Sequence, residues 1–240
     1  MKLLVTGGCS FSEAVSYHQH TWPVQLAKEL RDTHVPKHMG MGSQGNGLIS
    51  RRVLYRLIEE LKVTKPENIL VGVMWSGPNR HDFYHGHPIE FNVKELWIEN
   101  PTRFVENTPG GWAILNHHWE NDYSKTFYKH FYDYVGSLVY TLEHILRLQW
   151  FLKYHKINYF MTTYTGEVLP ERIYKHPELT YLANEIDKSH FLPVIGEYEW
   201  CMDNMPDAFP RQGDNHPGIE QHTAFTKQVI IPFLKEKNYI

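Results

Sequence analysis

The chain is short of cysteine, with two in 240 residues. Two cysteines cannot staple a domain of this size, so a reducing, cytoplasmic setting is expected and a disulfide-framed fold is excluded. Long apolar runs are missing too. None approaches the ~20 residues that span a bilayer. The apolar stretch Leu3 to Val5, cut off by Gly7-Gly8, is too short for a signal-peptide core. An excess of basic charge is also absent. With 24 Lys+Arg against 27 Asp+Glu the formal charge is −3, whereas a dedicated nucleic-acid binder needs a basic face to displace counterions. Neither a membrane nor a nucleic acid is therefore an expected partner. Repeats, low-complexity tracts and linkers are lacking as well, which leaves one domain over residues 1–240.

What remains is an alternation of short apolar runs and helical stripes. Lys2-Leu3-Leu4-Val5-Thr6 reads as a buried strand stopped by two glycines. Trp22, Leu26 and Leu30 share a helical face over Trp22 to Arg31, with Pro23 suited to the first turn. A weak strand is expected near Val35 to Met39. After the glycine-rich loop Gly40 to Gly47, a 3.6-residue stripe from Leu48 to Leu61 predicts a helix to about Lys62. Asn68 to Trp75 is apolar almost throughout, as a central parallel strand covered on both faces should be.

Residues 80–127 carry many Asn, Pro, His and Trp residues with little periodicity, and read as an irregular insert over the sheet edge. A long helix over Tyr128 to Tyr154, with Phe131 on its buried side, should follow. Then come a strand over Ile157 to Thr163, a helix near Leu179 to Lys188, a polar loop over 200–217 and a last helix from about Ile219 to Lys235. This β-α-β-α-β-(insert)-α-β-α order predicts an α/β fold with a doubly wound, mostly parallel sheet.

In such sheets ligands sit beyond the carboxyl ends of the strands. Three loops fall there: Gly7 to Ser12, Gly42 to Gly47, and Trp75 to Arg80. A fourth segment, Asp214-Asn215-His216-Pro217, precedes the last helix. Acyl transfer needs a hydroxyl nucleophile, a base, a carboxylate to fix the base's tautomer, and donors for the developing oxyanion. Ser10, His216 and Asp214 supply the first three. The N–H groups of Ser10 and Gly45 and the side-chain amide of Asn79 supply the donors, with Gly47 a rival for Gly45. A glycine lets a substrate oxygen approach bare backbone, and the Asn amide offers an uncharged N–H.

The set Gly8-x-Ser10, Gly45, Asn79 and Asp214-x-His216-Pro217 resembles the SGNH (GDSL-like) hydrolases in block order and approximate spacing, from residue 7 to 222 without the insert. The resemblance implies a flavodoxin-like three-layer α/β/α sandwich and hydrolysis of esters of lipids, thiols or acetylated sugars. It also implies Ser10 as nucleophile, Asp214 and His216 as its triad partners, and Gly45 and Asn79 as oxyanion donors. No metal or organic cofactor is implied; the partner is a small-molecule or glycan ester. Trp22-Pro23 and Trp75-Ser76 resemble a subgroup found in phage and bacteria. Cys9 stands where the usual aspartate precedes the serine, and Asp214 lies two rather than three residues before His216, where the three-before position is Gly213.

Other chemistries fit less well. A dinucleotide fold needs further glycines after Gly8, where Ser10 and Glu13 stand. No tyrosine has a lysine four residues later, so a Tyr-x-x-x-Lys pair is absent. His81 to His87 is too loosely spaced for a metal site and reads as a surface loop. Cys9 reads as a small buried neighbour of the nucleophile. His117-His118, with Trp112 and Trp119, reads as insert packing or a substrate wall. A scaffold of this fold that only binds carbohydrate is the non-enzymatic alternative.

Overall fold

Four strands run in parallel because each connection between them carries a helix long enough to return the chain to the sheet's starting edge. The structure is a computed structural model that describes residues 1–14, 20–85, 97–99, 111–118, 122–210 and 215–240. The elements begin with β1 (Lys2–Gly7), α1 (Trp22–Glu29), β2 (His34–His38), α2 (Asn46–Glu60) and β3 (Ile69–Trp75). Three short strands follow, β4 (Arg80–His85), β5 (Trp97–Glu99) and β6 (Gly111–Asn116). Then come α3 (Asp122–His130), α4 (Tyr134–Tyr154), β7 (Asn158–Thr163), α5 (Pro177–Asn184), α6 (Glu197–Asn204), α7 (Ile219–Phe225) and α8 (Ile231–Glu236).

The main sheet has the order β2-β1-β3-β7, all parallel, with a parallel bridge from Met161 to Phe191 beyond β7. Alternation along each strand sorts the core into two layers. Leu3, Val5, Val71, Val73 and Met161 pack with α2, α4 and α5. Leu4, Leu70, Met74 and Phe160 pack with Trp22, Leu26, Phe225 and Ile230 on the opposite side. The expected α/β fold with helices on both faces of a doubly wound sheet is what forms. Its strand order reverses between β1 and β3, so a crevice opens at their carboxyl ends. No helix among the described residues is long and apolar enough to cross a membrane.

Three expectations need correction. The single helix over Tyr128 to Tyr154 is two helices, because Asp133 stops the first and caps the second by accepting the Gly136 N–H at 2.8 Å. Phe131 consequently lies between them and is 74% exposed rather than buried. The segment after residue 80 is not irregular where it is described. β4, β6 and β5 form an antiparallel sheet in that order, which buries Trp112 and Ile114 against Leu48 of α2. The strands are short, and β4, Arg-His-Asp-Phe-Tyr-His, carries no apolar alternation that marks it as one. The stretch 200–217 is not loop throughout, since α6 runs to Asn204. Between α7 and α8 the helix widens into a π turn over Thr226–Ile230. Pro232, two residues on, lacks the N–H that a regular turn would use.

The cap of α4 gives a direct test. Asp133→Ala should cost about 1 kcal/mol in urea unfolding, with an unchanged m-value.

Candidate active site

Ser10 follows β1 in a single 3-10 turn, Ser10–Ser12. The turn is possible because Gly8 sits at φ 155°, a region closed to residues with a Cβ. A side chain there would also collide with Ser12 and come within 3.0 Å of the Met74 carbonyl. Ser12 is held from the other side, where its buried Oγ accepts the Trp22 Nε1–H at 2.9 Å. Cys9 points the opposite way, fully buried in the core layer formed with Phe11 and Trp22.

His216 comes from the far end of the chain, and its Nε2 lies 2.7 Å from Ser10 Oγ. Its ring is tilted 43° to Phe11 at 5.0 Å between centroids, and Phe11 meets the edge of Tyr164 at 5.4 Å. Pro217 is buried, and Gly218 caps α7. Gln221 ties this loop together, accepting the Gly218 N–H at 2.8 Å and donating to the Met205 carbonyl at 2.9 Å. One turn on, His222 Nδ1 meets Glu197 Oε1 at 2.7 Å in a buried pair that joins α7 to α6. Burial pushes the Glu197 carboxyl up, with His222 acting in the opposite direction. Asp214 and Gly213 lie outside the described residues, as do His87 and Trp119.

The loop before α2 is stitched to both neighbours. Ser43 takes a left-handed turn at φ 63° and Gln44 is fully buried. The Gln44 amide and the Met41 N–H both donate to the Gly8 carbonyl, the latter at 3.1 Å. Asn46, also buried, pairs with both main-chain groups of Ser76. It accepts the Ser76 N–H at 2.7 Å and donates to the Ser76 carbonyl at 2.9 Å. Sequence reasoning gave Gln44 and Asn46 no role. Polar residues in a glycine-rich loop look like solvated turn residues until the fold buries them.

Gly45 is the N-cap of α2, at φ −84°, where any residue fits. What requires glycine is space. A Cβ would stand 2.8 Å from the Arg80 carbonyl and 2.8 Å from Asp82 Oδ2. The bare backbone thus admits β4. Gly47, the rival, lies inside α2 and is packed against Tyr140.

Asn79 sits in the turn closed by the Arg80 N–H and Gly77 carbonyl at 3.2 Å. Its Oδ1 lies 2.5 Å from where a Gly77 Cβ would be. Its Nδ2 lies 2.9 Å from His117 Nδ1, and its carbonyl 2.5 Å from the Tyr128 hydroxyl. Arg80 stands 5.7 Å over the Tyr164 ring, so Arg80, Tyr164, Phe11 and His216 line one continuous rim.

The His81 to His85 stretch is strand β4 rather than a surface loop, and Asp82 is 3% exposed. No group of three metal-ligating side chains gathers among the described residues. Asp82 lies under the amino end of α2. Burial pushes its carboxyl up to about 7, with the Leu48 N–H, Arg51 and Arg147 pulling the other way. The same surroundings push His144 down to about 3, by burial first and then by Arg147 and Arg51.

A cavity of about 230 Å³ opens beside Pro78 and Asn79, walled by Phe127, Tyr132 and Tyr140. A larger one, about 800 Å³, lies by Lys2, His34 and Asn68 at the strands' amino ends, away from Ser10.

No family model and no curated protein matches the chain. Among solved structures, TesA is similar over 98% of this chain and 99% of that one, at 14% identity and a TM-score of 0.51. An acetyl xylan esterase, AlAXEase, matches over 94% and 96% at 9% identity and a TM-score of 0.48. The likeness to TesA shows a shared fold over essentially the whole chain.

The raised Asp82 pKa has a consequence for stability. Its folded-state pKa lies above the unfolded value, so the unfolded chain releases this proton first. Stability linked to the group is complete below about pH 4 and is lost as pH rises to about 7. Asp82→Asn removes that loss. The stability of Asp82→Asn relative to the parent should therefore rise between pH 4 and 7, by on the order of a few kcal/mol, and stay level above; melts at several pH values read this directly.

Proposed function

We propose that this protein is a serine esterase of the SGNH type, working through an acyl-enzyme. One observation carries the proposal: a hydroxyl and an imidazole nitrogen from opposite ends of the chain meet at 2.7 Å on the sheet's carboxyl edge. That distance is within the reach a base needs to take the hydroxyl proton.

In this scheme His216 Nε2 accepts the Ser10 proton as Oγ attacks the ester carbonyl. The oxyanion that forms is held by the Ser10 and Gly45 N–H groups and the Asn79 amide. His216 returns the proton to the leaving alcohol. It then activates a water that releases the acyl group and frees Ser10. Asp214 is assigned as the carboxylate that orients His216, from its place in the sequence. The likeness of fold to TesA supports the reading.

For the substrate we propose an O-acetyl or other short acyl ester on a carbohydrate. The cavity beside Asn79 is small, and its aromatic walls are mixed with Ser137 and Asp133. Rings that also present polar groups suit a sugar face better than a long alkyl chain. Both described cysteines are unpaired and buried, which supports a reducing compartment.

Ser10→Ala and His216→Ala should each lower kcat by roughly 10⁴-fold or more. Asn79→Ala should lower it ~10²–10³-fold. Rates on p-nitrophenyl esters of rising chain length, with acetylated xylan alongside, check both figures and rank the acyl groups. Activity retained in Ser10→Ala overturns the proposal. Ligand binding with no hydrolysis and no uptake of a fluorophosphonate probe would instead favour a carbohydrate-binding protein.

A further inference from the structure

The residue that follows β6 of the inserted sheet lies directly against the proposed oxyanion donor. In the antiparallel ladder Arg80 pairs with Asn116 and His81 with Leu115. Continuing that register by one step puts His117 opposite Asn79, where the Asn79 amide nitrogen and His117 Nδ1 lie 2.9 Å apart. The next helix returns over the same spot. Tyr128 of α3 brings its hydroxyl 2.5 Å from the Asn79 carbonyl and 2.9 Å from the Leu115 carbonyl, so it bridges the ends of β4 and β6. Its ring also stands edge-on to His117, at 6.0 Å.

We propose that His117 and Tyr128 are positioning residues that clamp Asn79, fixing the side chain through its amide and the main chain through its carbonyl. This rests on the esterase proposal above.

The physical need is plain. An asparagine on a turn is free to rotate its amide, and an oxyanion donor is effective only when it is already aimed. The amide nitrogen carries two hydrogens. His117 takes one, and the other stays for the substrate oxygen. Gly77 leaves the space against which the amide oxygen rests. For Nδ1 to accept, the ring must be neutral with its proton on Nε2. His118, Arg80 and Glu167 are the ionisable groups that act on it. Burial, His118 and Arg80 hold its pKa below the ordinary histidine value, with Glu167 opposing.

The test is a kinetic cycle. His117 is exposed, so His117→Ala should fold like the parent. It should lower kcat by about 10- to 100-fold on p-nitrophenyl acetate, while KM changes less than about twofold. His117→Asn, whose side-chain oxygen can stand where Nδ1 was, should recover most of that loss. With Asn79→Ala already present, His117→Ala should cost nothing further, because nothing is left to aim. Tyr128→Phe should behave as a weaker His117→Ala. Independently of activity, the His117 titration followed by NMR should move up in Asn79→Ala, since the donor that favours the neutral ring is gone. An unaltered kcat in His117→Ala, or an equal loss with and without Asn79, overturns the clamp. Failure of the esterase proposal looks different: the parent itself then neither hydrolyses esters nor reacts with a fluorophosphonate, although Asn79→Ala still shifts the His117 titration.

Discussion

A hydrogen bond between side chains 206 positions apart persists only if something else holds both ends. Its own net worth is about 1 kcal/mol, far less than the entropy of bringing two free loops together. Here the Ser10 end is fixed by a single helical turn against β1, made possible by Gly8 and locked by Ser12 and Trp22. The His216 end is fixed by Pro217, by Gln221 and by the buried pair of His222 with Glu197. The proposed chemistry depends on these two supports more than on the contact they produce.

The amino end of α2 couples the remaining loops. Gln44 reaches back to the Gly8 carbonyl, and Asn46 pairs with the main chain of Ser76. Each of these buried amides satisfies main-chain groups that would otherwise lose their hydrogen bonds on leaving water, at about 1–3 kcal/mol per group. Beneath them Asp82, Arg51 and Arg147 form a cluster of charged groups in which the carboxyl is driven towards its neutral form. A hydrophobic replacement of such a cluster is often at least as stable. Its place under Gly45, with β4 at 2.8 Å from the glycine's missing Cβ, means that the inserted sheet shapes the loop that bears the proposed donor.

The main sheet was legible in the sequence because its signals are local. Leu3 to Val5 and Ile69 to Trp75 are unbroken apolar runs, and the helix stripes at Trp22 and Leu48 have the right period. That Ser10 and His216 meet was legible through their positions at a strand end and before the last helix, and through the motif resemblance that pairs them. The inserted sheet was not legible, since β4 reads Arg-His-Asp-Phe-Tyr-His and only pairing with β6 reveals which face is covered. Phe131 misled for a related reason: its spacing continues the α4 stripe, but Asp133 breaks the helix between them. Asn46, Gln44 and His117 carry no periodic signal at all. Their partners are main-chain groups or a side chain in another loop, which only the folded arrangement supplies.

The central claim is that Ser10 carries the acyl group during turnover. Mixing the protein with an activated acetyl ester, quenching in acid before deacylation and mapping the peptides by mass spectrometry reads this directly. The account predicts the acetyl group on Ser10, and its loss from that peptide in Ser10→Ala. Acetylation found on the adjacent Cys9 instead, or turnover with Ser10 never modified, would contradict it.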